Sequence, residues 1–561
     1  MISAVLTLRT PPRDASQRWA GGLAWVVVGL LLLGLVLPLA AILGKALAGA
    51  DGSFVGLAHF VGIVAAPGFP HIVGNSAVVA LSTTAIVMPL AFGFAAALTR
   101  TRMPGKPLFR YLALIPLLAP SLLPAISLVY LFGNQGLLKS WFPDGSIYGL
   151  PGIVIGEVFY TFPHALMILV TALSVTDARL YEAASALGAG RVRQWLTITL
   201  PSARYGLVSA AMVVFTLVIT DFGVPKVIGG QYPVLAVEAY KQVIGQQNFP
   251  KGAVIGLLLL LPAVFSFWVD HALQKRQKAL LTAQARPLRP TDSRMASTAG
   301  LLVCVAVGGS LLVMLGMAVA AAFIHLWPYR LDLTLAHFDF DDMDGGGWLA
   351  YRNSLRLAAL TALAGTALVF TGAWLQEKLT GAALARTLIR LFAMLPMAVP
   401  GLVLGLGYVF FFNGNAWLPL YGTMSLLVLC TVAHFYTTAH LTAVTALAQM
   451  DREFEAVAAS LKVPLWTTFR RVTVPVCLPA ILEIARFLFV SAMTTVSAVI
   501  FLYTPDTVLA SVAVLNMDDA GDTAAAAAMA TLIVASSAVV SLLFALLSGW
   551  LTRRTQRWRQ P

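Results

Sequence analysis

Charge is what this chain has least of. Asp, Glu, Lys and Arg together make up 11% of its 561 residues, against roughly 25% in an ordinary soluble domain. Cysteine is scarcer still: Cys304, Cys430 and Cys477 are the whole set. All three fall in or beside apolar segments without metal-ligand spacing, so they read as small buried hydrophobes and not as ligands or disulfide partners. The chain has no P-loop, metal motif, nucleophile elbow or dinucleotide fingerprint. It therefore carries no recognisable means of hydrolysing ATP, and neither a cofactor nor a metal is expected.

Apolar residues fill the space that charge leaves. They make up 59% of the sequence, and the mean hydropathy is +0.84. A helix needs about 20 apolar residues to cross a hydrocarbon core of about 30 Å. Twelve segments satisfy this, near 22–47, 71–98, 108–133, 151–174, 205–222, 251–270, 298–326, 351–376, 388–412, 422–446, 477–500 and 523–551. Only helices and closed barrels satisfy every backbone group in lipid, and these long runs lack the short alternation of barrel strands. The expected class is all-α and polytopic. Arg9, Arg13 and Arg18 precede the first run as they would in a signal peptide, but no clear cleavage site follows, so an uncleaved first span is expected. With both termini inside, 28 of the 37 Lys and Arg fall on the cytoplasmic side, which is the positive-inside bias. Topology thus accounts for the net charge of +13 without a nucleic-acid partner. An acidic stretch on the opposite side, 332–344, reads as a solvated loop.

The sequence repeats itself. Asn75-Ser76 recurs as Asn353-Ser354, and the Pro116 to Pro120 run recurs as Pro396 to Pro400. Phe159-Tyr160 with His164 recurs as Phe435-Tyr436 with His440, and Pro201 recurs as Pro475. The offsets stay between 274 and 280. An even number of spans per half makes the repeats parallel, with a pathway expected where they meet. The expected division is a first repeat over 1–273, a basic linker with Pro287 and Pro290 over 274–297, and a second repeat over 298–561.

Each half also contains a basic, amphipathic loop, at about 175–204 and 447–476. In the first, Glu182-Ala183-Ala184 leads through Gly188 to Leu200-Pro201. Residues 178–188 read as a short helix with Glu182 in its first turn, facing the positive end of the dipole. Gly188 permits the left-handed turn that ends it, and Pro201 suits the start of the next span. In the second loop, counting back from Pro475 places Lys462 where the glycine was and Ala456 where the glutamate was, with Glu455 one residue early. Two such loops at matched positions are more than ordinary interfacial helices.

Polar groups within spans require reasons, since a central charge costs about 2.5–3.5 kcal/mol on insertion scales. Glu157, His164, Asp221 and His440 are candidate pathway residues, although interhelical hydrogen bonds would satisfy the histidines equally well. Glu483 and Arg486, at i and i+3, read as a pair on one helix face. Pro116, Pro120, Pro124, Pro396 and Pro400 predict matched kinks in spans three and nine.

The pattern from Glu182 to Pro201 resembles the cytoplasmic loop by which membrane subunits of bacterial ABC importers dock onto their ATPases. The whole chain resembles a fused, two-half permease of a binding-protein-dependent type I importer. The runs 156–164, 454–464, 503–507 and 516–519 look like those of 2-aminoethylphosphonate permeases, with ferric iron and thiamine permeases also similar. The resemblance implies two ATPase subunits, a periplasmic binding protein, an inner-membrane location and no enzymatic activity in this chain. It assigns ATPase docking to Glu182, Ala183, Ala184, Gly188, Leu200, Pro201, Glu455, Ala456, Lys462 and Pro475. A twelve-span secondary transporter would also have parallel halves, but would not need the long loops; an intramembrane enzyme would need a convergent catalytic set, and none is visible.

Overall fold

The computed structural model describes residues 15–49, 51–142, 146–174, 176–280, 293–342, 345–415, 417–451 and 453–555. Part of the expected linker, 281–292, lies outside them. Ten helices are long and apolar enough to cross a membrane, and two further helix pairs make up the total of twelve expected spans. The only strands among the described residues form a small hairpin, Ile324–Leu326 against Arg330–Leu333.

The two remaining spans are broken, which is more than the kink the prolines predicted. Lys106–Leu118 and Leu122–Phe132 meet at 102°, and Ala383–Ala398 and Gly401–Phe412 meet at 115°. Each break has the same local cause. A residue preceding proline is pushed out of the helical region, and both Ala119, before Pro120, and Val399, before Pro400, are extended. Pro116 and Pro396 sit in the first turn of the short 3₁₀ segments before the breaks. Pro124 lies in the first turn of its helix, where a missing N–H costs nothing.

The first span of each half packs on the other half. Tyr408 Oη donates to Gly34 O at 2.7 Å, tying Ser16–Leu47 to Gly401–Phe412. Gly407 makes room for this helix: a Cβ there would lie 2.7 Å from Pro38 O. In the reciprocal arrangement, Arg294–Phe323 lies along Phe69–Arg100, with Gly300 against Ala97 and Thr101, and Val303 against Gly93. Exchange of this kind knits the halves together by dispersion and close backbone approach, since lipid supplies little hydrophobic drive between helices.

Between spans five and six, and again between eleven and twelve, the chain makes short helices instead of a simple loop. The first half has Gly223–Ile228 and Leu235–Tyr240; the second has Ala510–Ala520. By connectivity these lie at the end of the molecule opposite the two repeated loops, called here the far end.

Candidate functional site

The repeated loops are built alike, atom for atom in places. In the first, the helix Ala178–Ala186 is capped by Asp177, whose side chain accepts from Arg179 N at 3.1 Å. Glu182 therefore falls in the second turn, not the first, and it is exposed. The cap occupies the dipole position that the sequence had suggested for Glu182, and an Asp six residues before the Ala183-Ala184 pair was the available signal. Gly188 ends the turn at φ +73, with Gly188 N donating to Ser185 O at 3.0 Å and Ala189 N to Ala184 O at 2.9 Å. In the second loop Lys462 has φ +53, and Val463 N donates to Ala458 O at 2.9 Å. Lys462 thus occupies the same left-handed position as Gly188, despite its Cβ.

Each loop then becomes a membrane helix without a break in direction. Arg191–Thr220 and Leu465–Thr494 are continuous spans, so span five begins well before the expected 205. Each passes through a π turn, Trp195–Thr199 and Phe469–Thr473, immediately ahead of Pro201 and Pro475. A proline ring clashes with the carbonyl four residues back in a regular helix; the wider turn, with Leu200 N on Trp195 O and Val474 N on Phe469 O, gives that ring space. An aromatic pair fixes each π turn to a neighbouring span. Phe92 meets Trp195 at 5.6 Å, and Phe370 and Trp374 meet Phe469 at 6.1 and 4.4 Å. Arg100 secures the entry to the first loop: its Nη2 donates to Leu173 O at 3.0 Å and Thr176 Oγ1 at 2.9 Å, and its guanidinium lies 5.3 Å from the Tyr181 ring.

The loop surfaces present apolar side chains at matched positions. Leu187 is 84% exposed and Leu461 70%; Val192 and Trp466 form a second matched, exposed pair. Ala183, Leu200, Pro201, Ala456 and Lys462 are also exposed, whereas Ala184 and Pro475 are half-buried. The side chain of Glu455 lies outside the described residues. Leu187 and Leu461 were legible only in hindsight, as equal residues at the 274 offset.

The in-span polar residues do not converge on one cavity. Glu157 is fully buried, and its carboxyl lies against that of Asp221. With both ionised neither Glu157 oxygen has a donor, so this contact is a hydrogen bond only when the two share a proton. Asp221 Oδ2 accepts from Val224 N at 2.9 Å and so anchors the first far-end helix. His440 Nε2 meets Gln376 Oε1 at 3.0 Å and its ring stacks on Tyr436, a bond between spans ten and eight. His164 lies on span four beside Tyr160, at 5.8 Å between rings. Glu483 and Arg486 do pair on one exposed helix face.

At the far end the Asn-Ser repeats have a shared task. Asn75 Nδ2 donates to Pro233 O at 3.0 Å, and Ser76 Oγ accepts from Leu235 N at 2.8 Å. Asn353 Nδ2 donates to Asp506 O at 2.9 Å and Val508 O at 3.1 Å, and Ser354 Oγ accepts from Ala510 N at 2.8 Å. Each pair thus clamps the start of its own half's far-end helix, satisfying orphan groups that lipid cannot.

Two parallel sets of broken spans, two loops of one design and two clamped far-end segments define a duplicated membrane transporter subunit. The chain matches the family described as binding-protein-dependent transport system inner membrane component twice, over residues 90–279 and 381–557, and it belongs to that family. It is a multi-pass permease subunit of an ABC importer with its two halves fused. It is 26% identical to the ferric transport system permease protein FbpB of Actinobacillus pleuropneumoniae over 478 residues, covering 82% of this chain and 68% of that protein. It is 25% identical to the putative 2-aminoethylphosphonate transport system permease protein PhnU of Salmonella choleraesuis over 269 residues, covering 46% of this chain and 92% of that protein. A molybdenum transport system permease protein, ModB of Escherichia coli, is 32% identical over 149 residues, 26% of this chain and 65% of that protein.

Proposed function

We propose that this chain is the membrane subunit of a bacterial inner-membrane importer for 2-aminoethylphosphonate, with both termini and both repeated loops on the cytoplasmic side. One separate ABC ATPase subunit docks on each loop, and a periplasmic binding protein delivers the solute to the far end. The observation that carries the coupling role is the continuity of each loop with a membrane span through a π turn. A push on Ala178–Ala186 or Glu453–Ser460 is passed across one tight, hydrogen-bonded turn to Arg191–Thr220 or Leu465–Thr494. Glu182, Ala183, Ala184, Gly188, Leu200 and Pro201 form the first contact; Glu455, Ala456, Lys462 and Pro475 form the second. Glu157, His164, Asp221 and His440 flank the path and tune the rate of passage, while the binding protein supplies selectivity.

The phosphonate assignment rests on the runs at 156–164, 454–464, 503–507 and 516–519 and is supported by the likeness to PhnU across 46% of the chain. A second reading, ferric iron as cargo, is favoured by a different observation: likeness to the ferric permeases extends over 82% and 75% of the chain. Uptake of each solute into proteoliposomes holding permease, ATPase and the matching binding protein decides between them. Uptake of 2-aminoethylphosphonate with no uptake of iron is the expected result; the reverse moves the cargo assignment and leaves the coupling intact.

A further inference from the structure

The far-end segments of the two halves touch each other, and the contact is a layered one. Lys226 Nζ, on Gly223–Ile228 of the first half, meets Asp519 Oδ1, on Ala510–Ala520 of the second, at 2.8 Å. Beneath it Tyr240 of the first half stacks on Phe501 of the second, with ring centroids 6.1 Å apart and planes at 28°. The Lys226 ammonium also stands 6.0 Å from the centre of the Tyr240 ring, so one aromatic holds both the cation and the opposing Phe501. Exposure falls with depth: the side chain of Asp519 is 48% exposed, that of Lys226 21%, and Phe501 is 6% exposed. A third bond between halves lies alongside, Tyr130 Oη to Thr523 Oγ1 at 3.1 Å.

Sequence equivalence places this set at the middle of the duplication. The clamps pair Leu235 with Ala510, an offset of 275, and the ends of spans five and eleven pair Asp221 with Thr495, an offset of 274, so Lys226 maps onto Ile500 or Phe501. Equivalent positions of the two halves therefore approach each other around one tyrosine, as they do only near the axis that relates the halves. That is where a pathway between parallel repeats emerges.

We propose that the Lys226–Asp519 ion pair, seated on the Tyr240–Phe501 stack, is the plug that closes the translocation path at the far end and must part to admit solute. This rests on the reading of the chain as a permease with its path between the halves. Half-exposed ion pairs are individually weak and yield readily, whereas the stack beneath excludes water while closed. The chemistry suits a closure opened once per cycle better than a permanent staple. Parting leaves an ammonium and a carboxylate facing the incoming solute, a pair complementary to a zwitterion.

A native reporter packs against the segment that carries Phe501. Cys430 is fully buried, with Sγ 3.5 Å from Ala498 O, three residues before Phe501 in the same segment. The test uses the full chain in lipid nanodiscs with Cys304→Ala and Cys477→Ala, so that Cys430 is the single thiol, and follows its rate of labelling by N-ethylmaleimide. Lys226→Asp and Asp519→Lys should each raise the rate at least tenfold, and the double variant Lys226→Asp/Asp519→Lys should return it to within twofold of the parent. Parent-like rates in both single variants would overturn the plug. So would a double variant labelled as fast as the faster single one, because general misfolding is not repaired by a second charge change. No ATPase or solute enters this measurement, so loss of ATP-driven uptake with the expected labelling pattern would fault the transport reading and leave the closure standing.

Discussion

Two residues at one conformation carry different costs. Gly188 and Lys462 both stand at positive φ, +73 and +53, where a Cβ costs roughly 1–2 kcal/mol. Nothing lies within 4 Å of a Cβ built on Gly188, so any penalty there comes from the backbone and not from crowding. Gly188→Val should therefore destabilise the chain by at least ~1 kcal/mol and uncouple ATP hydrolysis from uptake, while Gly188→Asn, with a side chain that tolerates this region, should be milder. Lys462→Gly should do the opposite. Relief of strain outweighs the ~0.5–1 kcal/mol entropy that glycine adds to the unfolded chain, so its denaturation midpoint should rise. A lowered midpoint for Lys462→Gly would show that the lysine side chain makes a contact worth more than its strain. At the far end, Asn353 serves two carbonyls and Asn75 one. With about 1 kcal/mol net for each hydrogen bond, Asn353→Ala should cost about twice as much as Asn75→Ala in chemical denaturation; equal losses would argue against the clamp account.

Elements differ in how plainly the sequence announces them. Long spans were legible because twenty apolar residues in a row have few other uses, and all twelve expected segments coincide with helices or helix pairs. The breaks in spans three and nine were half legible: the prolines that push Ala119 and Val399 out of the helical region were visible, but the size of each turn, more than 100°, was not. The far-end helices were not legible. Gly223–Ile228 and Leu235–Tyr240 have six residues each, too short for a periodic signal, and the residues that clamp the start of Leu235–Tyr240 are more than 150 residues away. The partner of His440 was equally hidden: Gln376, which meets it, is 64 residues distant and on another span. The exchange of first spans predicts an element-scale result. Gly407→Val would drive a side chain into the Pro38 carbonyl across the halves, and overpacking of this kind costs about 1–3 kcal/mol. Gly22, on the same first span, has nothing within 4 Å of a built Cβ. Gly22→Val should leave the melting temperature of detergent-purified protein near that of the parent, while Gly407→Val lowers it; similar effects from both would count against the packing described.

For the whole molecule, the duplication implies two points of force and one path. Each loop continues into a span, those spans lead to the far-end segments, and the segments of the two halves meet near the axis. The two spans that carry the loops run as continuous helix from 191 to 220 and from 465 to 494, and the far-end segments begin where they stop. The orientation is open to its own check: cysteines placed at 191 or 462 should resist a membrane-impermeant thiol reagent in intact cells, whereas one at Lys139 should react. Rapid labelling at 191 or 462 would invert the molecule. The central claim, that this chain is a conduit driven by a separate ATPase through its loops, is tested most directly by solute uptake into proteoliposomes containing permease, ATPase and binding protein, with each component omitted in turn. The account predicts ATP-dependent accumulation that is lost when either the ATPase or the binding protein is left out. Accumulation at a similar rate without the ATPase, or without the binding protein, would contradict it.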